Sequence, residues 1–146
     1  MFVEDCGFFL NNRASSFKTA GPNKLEPKKR PLHTLSTLML AQDGEVRMGL
    51  GCSAGENRPQ LHVFFITNMV DYSMTLEEAM DFPRFMLSSG DILVLENAFK
   101  NPDALYHQVE LLDYPGATGV AHGVEVLNDG KKGVCDVRGD GIPLGF

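Results

Sequence analysis

Apolar and polar positions along this chain recur at several different periods, and each period predicts an element. The run "GFFL" (7–10) is short, continuously apolar and stopped by Asn11-Asn12, the pattern of a buried strand meeting a turn. Residues 13–30 show no periodicity and carry Gly21-Pro22-Asn23 and Pro27, so they read as a long loop. Residues 33–41 read as a strand. Gln42-Asp43-Gly44-Glu45 has the Asp-Gly pair that supplies the positive φ angles of a hairpin turn, and 46–50 returns as the partner strand.

In "GLGCSAGENRP" (49–59) small residues lead into a helix start. Asn57 and Gln60 have the spacing of a capping box, and Pro59 fits the first helical turn. Leu61, Phe64, Phe65, Asn68 and Met69 then form a mostly apolar stripe at helical spacing. Thr75 and Glu78 mark a second capping box ahead of "LEEAMDF", which Pro83 closes. Residues 91–95 read as a strand. Asn101-Pro102-Asp103 predicts a third helix, with Leu105, Val109 and Leu112 on one face. Residues 122–127 and 133–137 are two strands joined by an Asp129-Gly130 turn, and the tail "VRGDGIPLGF" is coil. Antiparallel hairpins with intervening helices predict an α+β fold, helices packed on antiparallel sheets, and argue against a parallel, doubly wound sheet.

Composition narrows the function. At 146 residues the chain predicts a single domain spanning 1–146, and 43% hydrophobic residues suffice for a core. A net charge of −6 argues against nucleic-acid binding, which needs a basic field. The one basic cluster, Lys24, Lys28, Lys29 and Arg30 with Glu26 inside it, reads as a solvated loop. Cys6, Cys52 and Cys135 are widely spaced, with no Cys/His pair at zinc spacing, which fits reduced thiols in a cytoplasmic protein and no metal. No apolar run approaches the roughly 20 residues of a membrane span. "MFVEDC" places acidic residues where a signal peptide is basic.

Candidate chemistry is sparse. Gly49-x-Gly51-x-x-Ala54 has the form of a dinucleotide fingerprint, but the strand before it is the second arm of a hairpin. Two narrower readings stay open: a nest of backbone N–H groups suited to an anion or a developing oxyanion, and a tight strand-to-helix turn. Of the four histidines, only His33 neighbours other hydroxyl or cationic groups, and no pair has i, i+4 metal spacing. Arg138-Gly139-Asp140 reads as a turn.

Taken in order, "GFFLNNRASSF" (7–17), "PNKLEPKKRPLHTLSTLML" (22–40), "GLGCSAGENRPQLHV" (49–63), "NMVDYSMTLEEAMDFPRF" (68–85) and "CDVRGDGIPLG" (135–145) resemble the C-terminal part of γ-glutamyltransferases. "NNR" with "KRPLHT" is most similar to the γ-glutamyltransferase-like and cephalosporin-acylase-like branch. The resemblance implies part of the αββα sandwich of the N-terminal-nucleophile hydrolases, two antiparallel sheets between helices, with the first strands missing. It implies acyl transfer from a γ-glutamyl or related amide to water or an amino acid, with no metal or organic cofactor. The family's nucleophilic threonine lies upstream of the segment matching "GFFLNNR", so the resemblance implies no catalytic nucleophile in this chain and no activity for it alone. It further implies a carboxylate or acyl-amide substrate, and a missing-subunit partner or a homo-oligomer.

Position by position, the residues after the asparagine pair, where the family holds the substrate's α-amine, are here Arg13, Ala14, Ser15 and Ser16, with no carboxylate. The serine pair that binds the α-carboxylate appears as His33-Thr34, and Arg13 could add charge-assisted bonds to such a group. The glycine pair of the oxyanion hole aligns with Ala54-Gly55. Arg13, Ser16, His33 and Thr34 are thus the implied substrate residues. An alternative is a non-catalytic module that binds a small carboxylate or a partner subunit through Arg13, His33, Thr34 and the 51–56 loop.

Overall fold

The computed structural model describes residues 1–88, 90–99, 108–116 and 118–145. Contacts divide the chain into two compact units, Met1–Leu35 and Ser36–Phe146.

In the first unit, strands β1 (Phe2–Val3) and β2 (Phe8–Phe9) pair antiparallel around a short helical turn, Glu4–Cys6, that Gly7 ends in the left-handed region. A second helical turn spans Arg13–Ser16. The strand expected at 7–10 exists but is not buried: Phe8, Phe9 and Leu10 are all more than half exposed. A two-stranded ribbon has no second layer to cover its apolar side, and no residue of this unit is buried.

The second unit begins with a hairpin, β3 (Thr37–Gln42) and β4 (Glu45–Ser53). Asp43 (φ 54°) and Gly44 (φ 81°) turn it as the Asp-Gly pair predicts. With β8 (Val120–Leu127) and β9 (Gly130–Cys135), these strands form an antiparallel sheet of order β3-β4-β8-β9. Helices α1 (Arg58–Ile66) and α2 (Leu76–Asp81) pack on it. Their core joins Met48, Leu50, Ala121 and Val134 of the sheet to Leu61, Phe64, Phe65, Leu76, Ala79 and Met80 of the helices. The 61–69 stripe is therefore the buried face expected, extended by a π-helical turn at Thr67–Asp71.

Several local expectations differ from the structure. Strand β3 starts at Thr37, so His33 and Thr34 precede it. Gly49 and Gly51 lie inside β4, paired with Val124 and His122, and the loop shrinks to 54–57. Asn57 does not cap α1. Gln60 instead turns its amide to β5 (Phe85–Leu87), donating to the Leu87 carbonyl at 3.0 Å and accepting from its N–H at 2.8 Å. The Thr75/Glu78 capping box forms in full. Leu127 pairs with Gly130, so the turn residues there are Asn128-Asp129 and the glycine opens β9.

A second sheet has the order β5-β6-β7, with β6 at Ile92–Glu96 and β7 at Gln108–Leu112. Residues 108–112 of the expected third helix are this strand, and 101–107 lie outside the described residues. Strand β7 runs parallel to β6, a departure from the wholly antiparallel expectation. A short apolar run does not distinguish strand from helix by period, and pairing along the largely buried "ILVLE" decides it.

Candidate functional site

Two groups of residues hold the candidate chemistry, one in each unit. In the first unit, the turn Arg13–Ser16 and the segment 32–34 lie side by side. The Arg13 guanidinium donates from Nη1 to Thr34 Oγ1 at 3.2 Å, both residues being half-buried. Asn23 staples the two segments together. Its Nδ2 donates to the Ser16 carbonyl at 2.6 Å and its Oδ1 accepts from the Leu32 N–H at 3.0 Å. The structure thus brings Arg13 and Thr34 together in one wall, ties the Ser16 carbonyl to Leu32 through Asn23, and leaves His33 exposed beside Thr34. A guanidinium beside a hydroxyl is a donor pair suited to a carboxylate. Asn23 was hidden in the sequence as a loop-breaking residue, although Gly-Pro-Asn before a basic run is also where a side-chain clamp belongs.

In the second unit, β4 ends at Ser53 and a tight turn follows. Ala54 accepts from the Asn57 N–H at 3.0 Å. Gly55 has φ +56°, where a side chain is strained. Arg58 clamps the turn by donating from Nε to the Cys52 carbonyl at 2.8 Å. Gly119 backs it: a Cβ there would lie 2.9 Å from Ala54 Cβ and 3.0 Å from Leu61 Cδ1, and its φ of +99° already favours glycine. The turn is therefore packed from behind. The nucleotide-binding alternative ends here, because β4 is flanked by antiparallel strands on both sides and α1 leads into α2.

A buried ionic network that the sequence reading missed holds Gly119 in place. Arg84 donates to the Gly119 carbonyl at 2.9 Å and pairs with Asp136 at 2.6 Å, and both side chains are fully buried. Arg138 pairs with Asp136 at 3.0 Å and with Glu96 through both Nε and Nη2. Glu96 also accepts from the Arg84 and Gly116 N–H groups at 2.8 and 2.7 Å, and Asp136 from that of Ala121 at 2.8 Å. Burial pushes the Glu96 carboxyl upward, but the Arg138 guanidinium and the two backbone donors outweigh it and hold the pKa below the usual value. Burial lowers Arg84 despite Asp136, whereas Glu96 and Asp136 overcome burial at Arg138 and raise it. Arg138 belongs to the tripeptide read as a turn; its partner Glu96 closes the apolar run "ILVLE", a position where a carboxylate needs a buried cation.

Cys52 and His62 lie near the turn without joining it. Burial raises the Cys52 thiol, against Arg58 and Arg84, and burial together with Arg58 lowers His62. Among the described residues no group of His, Cys, Asp and Glu could hold a metal ion, and no helix is long and apolar enough to cross a membrane.

Comparison with known proteins meets this geometry. The family model described as gamma-glutamyltranspeptidase matches residues 1–146. The chain is 33% identical to the glutathione hydrolase-like YwrD proenzyme of Bacillus subtilis (strain 168), across 97% of its own length and 30% of that protein's. It thus spans about a third of the length of this curated relative. Among solved structures, a γ-glutamyltranspeptidase from Pseudomonas nitroreducens complexed with L-DON superposes with a TM-score of 0.77 at 20% identity, covering 100% of this chain and 86% of that one. A cephalosporin acylase from Bacillus halodurans superposes with a TM-score of 0.79 at 25% identity, covering 92% of this chain and 27% of that one. These likenesses establish the α+β fold as that of part of an N-terminal-nucleophile hydrolase.

Proposed function

Because the chain belongs to the γ-glutamyltranspeptidase family, we propose that it forms the C-terminal portion of a γ-glutamyltransferase-like amidohydrolase and acyltransferase. In this reading Arg13, Ser16, His33 and Thr34 hold a carboxylate of the acyl donor. Ala54 and Gly55 present N–H groups to the carbonyl oxygen as it gains charge. The nucleophile comes from the part of the family that precedes the match, so the 146 residues by themselves are inactive. No metal or organic cofactor enters the reaction.

The observation that carries the reading is the Arg13–Thr34 hydrogen bond, which joins two separately implied substrate residues into one donor pair. The proposed partner, either a second copy or a complementary subunit, would cover exposed apolar residues such as Phe8, Phe9 and Leu10. Three free thiols favour the cytoplasm, which cell fractionation checks.

Calorimetric titration with glutamate, beside hydrolysis of a γ-glutamyl anilide, tests the reading. Millimolar glutamate binding is expected, weakened about tenfold in Arg13→Ala by loss of a charge-assisted bond. No anilide turnover is expected from the chain alone. Absence of glutamate binding would overturn the substrate wall, and clear turnover would overturn the inactivity.

A further inference from the structure

The larger sheet, of order β3-β4-β8-β9, ends in two edges that differ in chemistry. Strand β9 carries adjacent lysines, Lys131 and Lys132, and charge on an edge strand guards it against pairing with another chain. Strand β3 (Thr37–Gln42) has no such guard. From Leu35 to Gln42 there is no Asp, Glu, Lys, Arg, Pro or Gly. The irregularity in the β3–β4 ladder does not interrupt β3 either. Leu40 pairs with Met48 and Ala41 with Val46, so the extra residue, Arg47, belongs to β4. Among the described residues no backbone hydrogen bond from outside the sheet reaches positions 37–42. The free side of β3 is thus a continuous, uncharged row of N–H and C=O groups.

The strand is also apolar on both faces. Leu38 and Leu40 turn inward and pack, partly buried, against the core. Met39 stands on the outer face at 66% exposure, in one row with Gly49 of β4 and Val124 of β8. A Cβ added at Gly49 would touch nothing within 4 Å, and Val124 is 46% exposed, so this row is open to solvent.

We propose that β3 pairs antiparallel with β3 of a second copy about a two-fold axis at Met39, joining the two sheets into one. In this register Met39 faces its own counterpart and Leu38 faces the second copy's Leu40. Apolar meets apolar on both faces, and no charges are opposed. An axis at Leu40 would set Gln42 against Leu38 and lose that match. The contact is isologous and consumes the unguarded edge of both copies. The edges that remain are the lysine-bearing β9 strands, which stops growth at the dimer. This inference rests on the second-copy alternative of the partner proposed above and gives it a surface; the acyl-transfer reading does not depend on it.

The test is sedimentation equilibrium of the full chain and two variants, with thermal unfolding at low concentration as a control of the fold. The parent is expected to be a dimer. Met39→Lys and Met39→Glu should each weaken dimerisation at least about fivefold, because the axis sets like charges directly opposite, while their monomers unfold as the parent's does. An equimolar mixture of the two variants should restore the dimer, since lysine then faces glutamate. That pattern requires position 39 to meet itself. The proposal is overturned, and self-association with it, if the parent stays monomeric at the highest concentration reached. It is overturned alone if the parent grows beyond a dimer, if either variant dimerises as tightly as the parent, or if mixing the variants restores nothing.

Discussion

Arg138 pairs with two carboxylates, Glu96 and Asp136, inside the protein. Replacing it by methionine takes the paired guanidinium from Glu96 and leaves Asp136 with Arg84 alone, a loss worth about 3–5 kcal/mol in comparable buried pairs. Urea unfolding of Arg138→Met should show it. The same network sets an acid limit. The folded pKa of Glu96 lies below its ordinary value of 4.5, so its contribution to stability is complete above that pH and is lost as pH falls through the depressed folded value. The urea midpoint should therefore decline below pH about 4.5, and the decline should flatten in Glu96→Gln. An unchanged acid slope in that variant would remove Glu96 from the account. At this scale the sequence showed charges in apolar surroundings, "FPRF" and "ILVLE", but not which cation meets which anion. Those pairs join positions 42 and 52 residues apart.

Elements with a complete local cause were legible. The Thr75/Glu78 box formed because both partners lie within one turn. The Asp43-Gly44 hairpin formed because its φ angles are local. Asn57 and Gln60 have similar spacing, yet Gln60 was recruited by Leu87, 27 residues away. The Ala54 turn depends on a neighbour of the same distant kind. Gly119 closes on it from β8's approach, so Gly119→Ala combines a left-handed φ with a 2.9 Å contact to Ala54 Cβ. A loss of about 3 kcal/mol is expected. Thermal unfolding measures the loss, and a stability within error of the parent would mean that the turn yields freely.

For the whole molecule, stability should be unevenly distributed. The unit Met1–Leu35 has no buried residue, whereas Phe65, Ala79, Met80 and Ala121 in the other are at 0% exposure. Amide exchange in the first unit should run at least about a hundredfold faster than in α1, since opening free energy follows local burial. Equal protection would contradict that. Exposed Phe8, Phe9 and Leu10, with Met39 and Val124 of the larger sheet, leave apolar surface uncovered. The proposed association with a second copy or subunit therefore predicts a dimer or larger species by light scattering. A monomer at high concentration would refute self-association.

The sequence by itself determined the family, the α+β class, the core stripe of α1 and the local turns, because each is written in short-range spacing or in ordered segments. Only the tertiary structure decided that 108–112 is a parallel strand, that Asn23 staples the wall at Arg13 and Thr34, and that Arg84, Glu96, Asp136 and Arg138 support the Ala54–Gly55 turn. Those outcomes come from contacts between distant positions, where burial makes a partner necessary and no local pattern names it. The run "KKRPLHT" (28–34) shows the division: its charges read as a solvated loop, and what gives its last residue a place is a guanidinium 21 positions upstream.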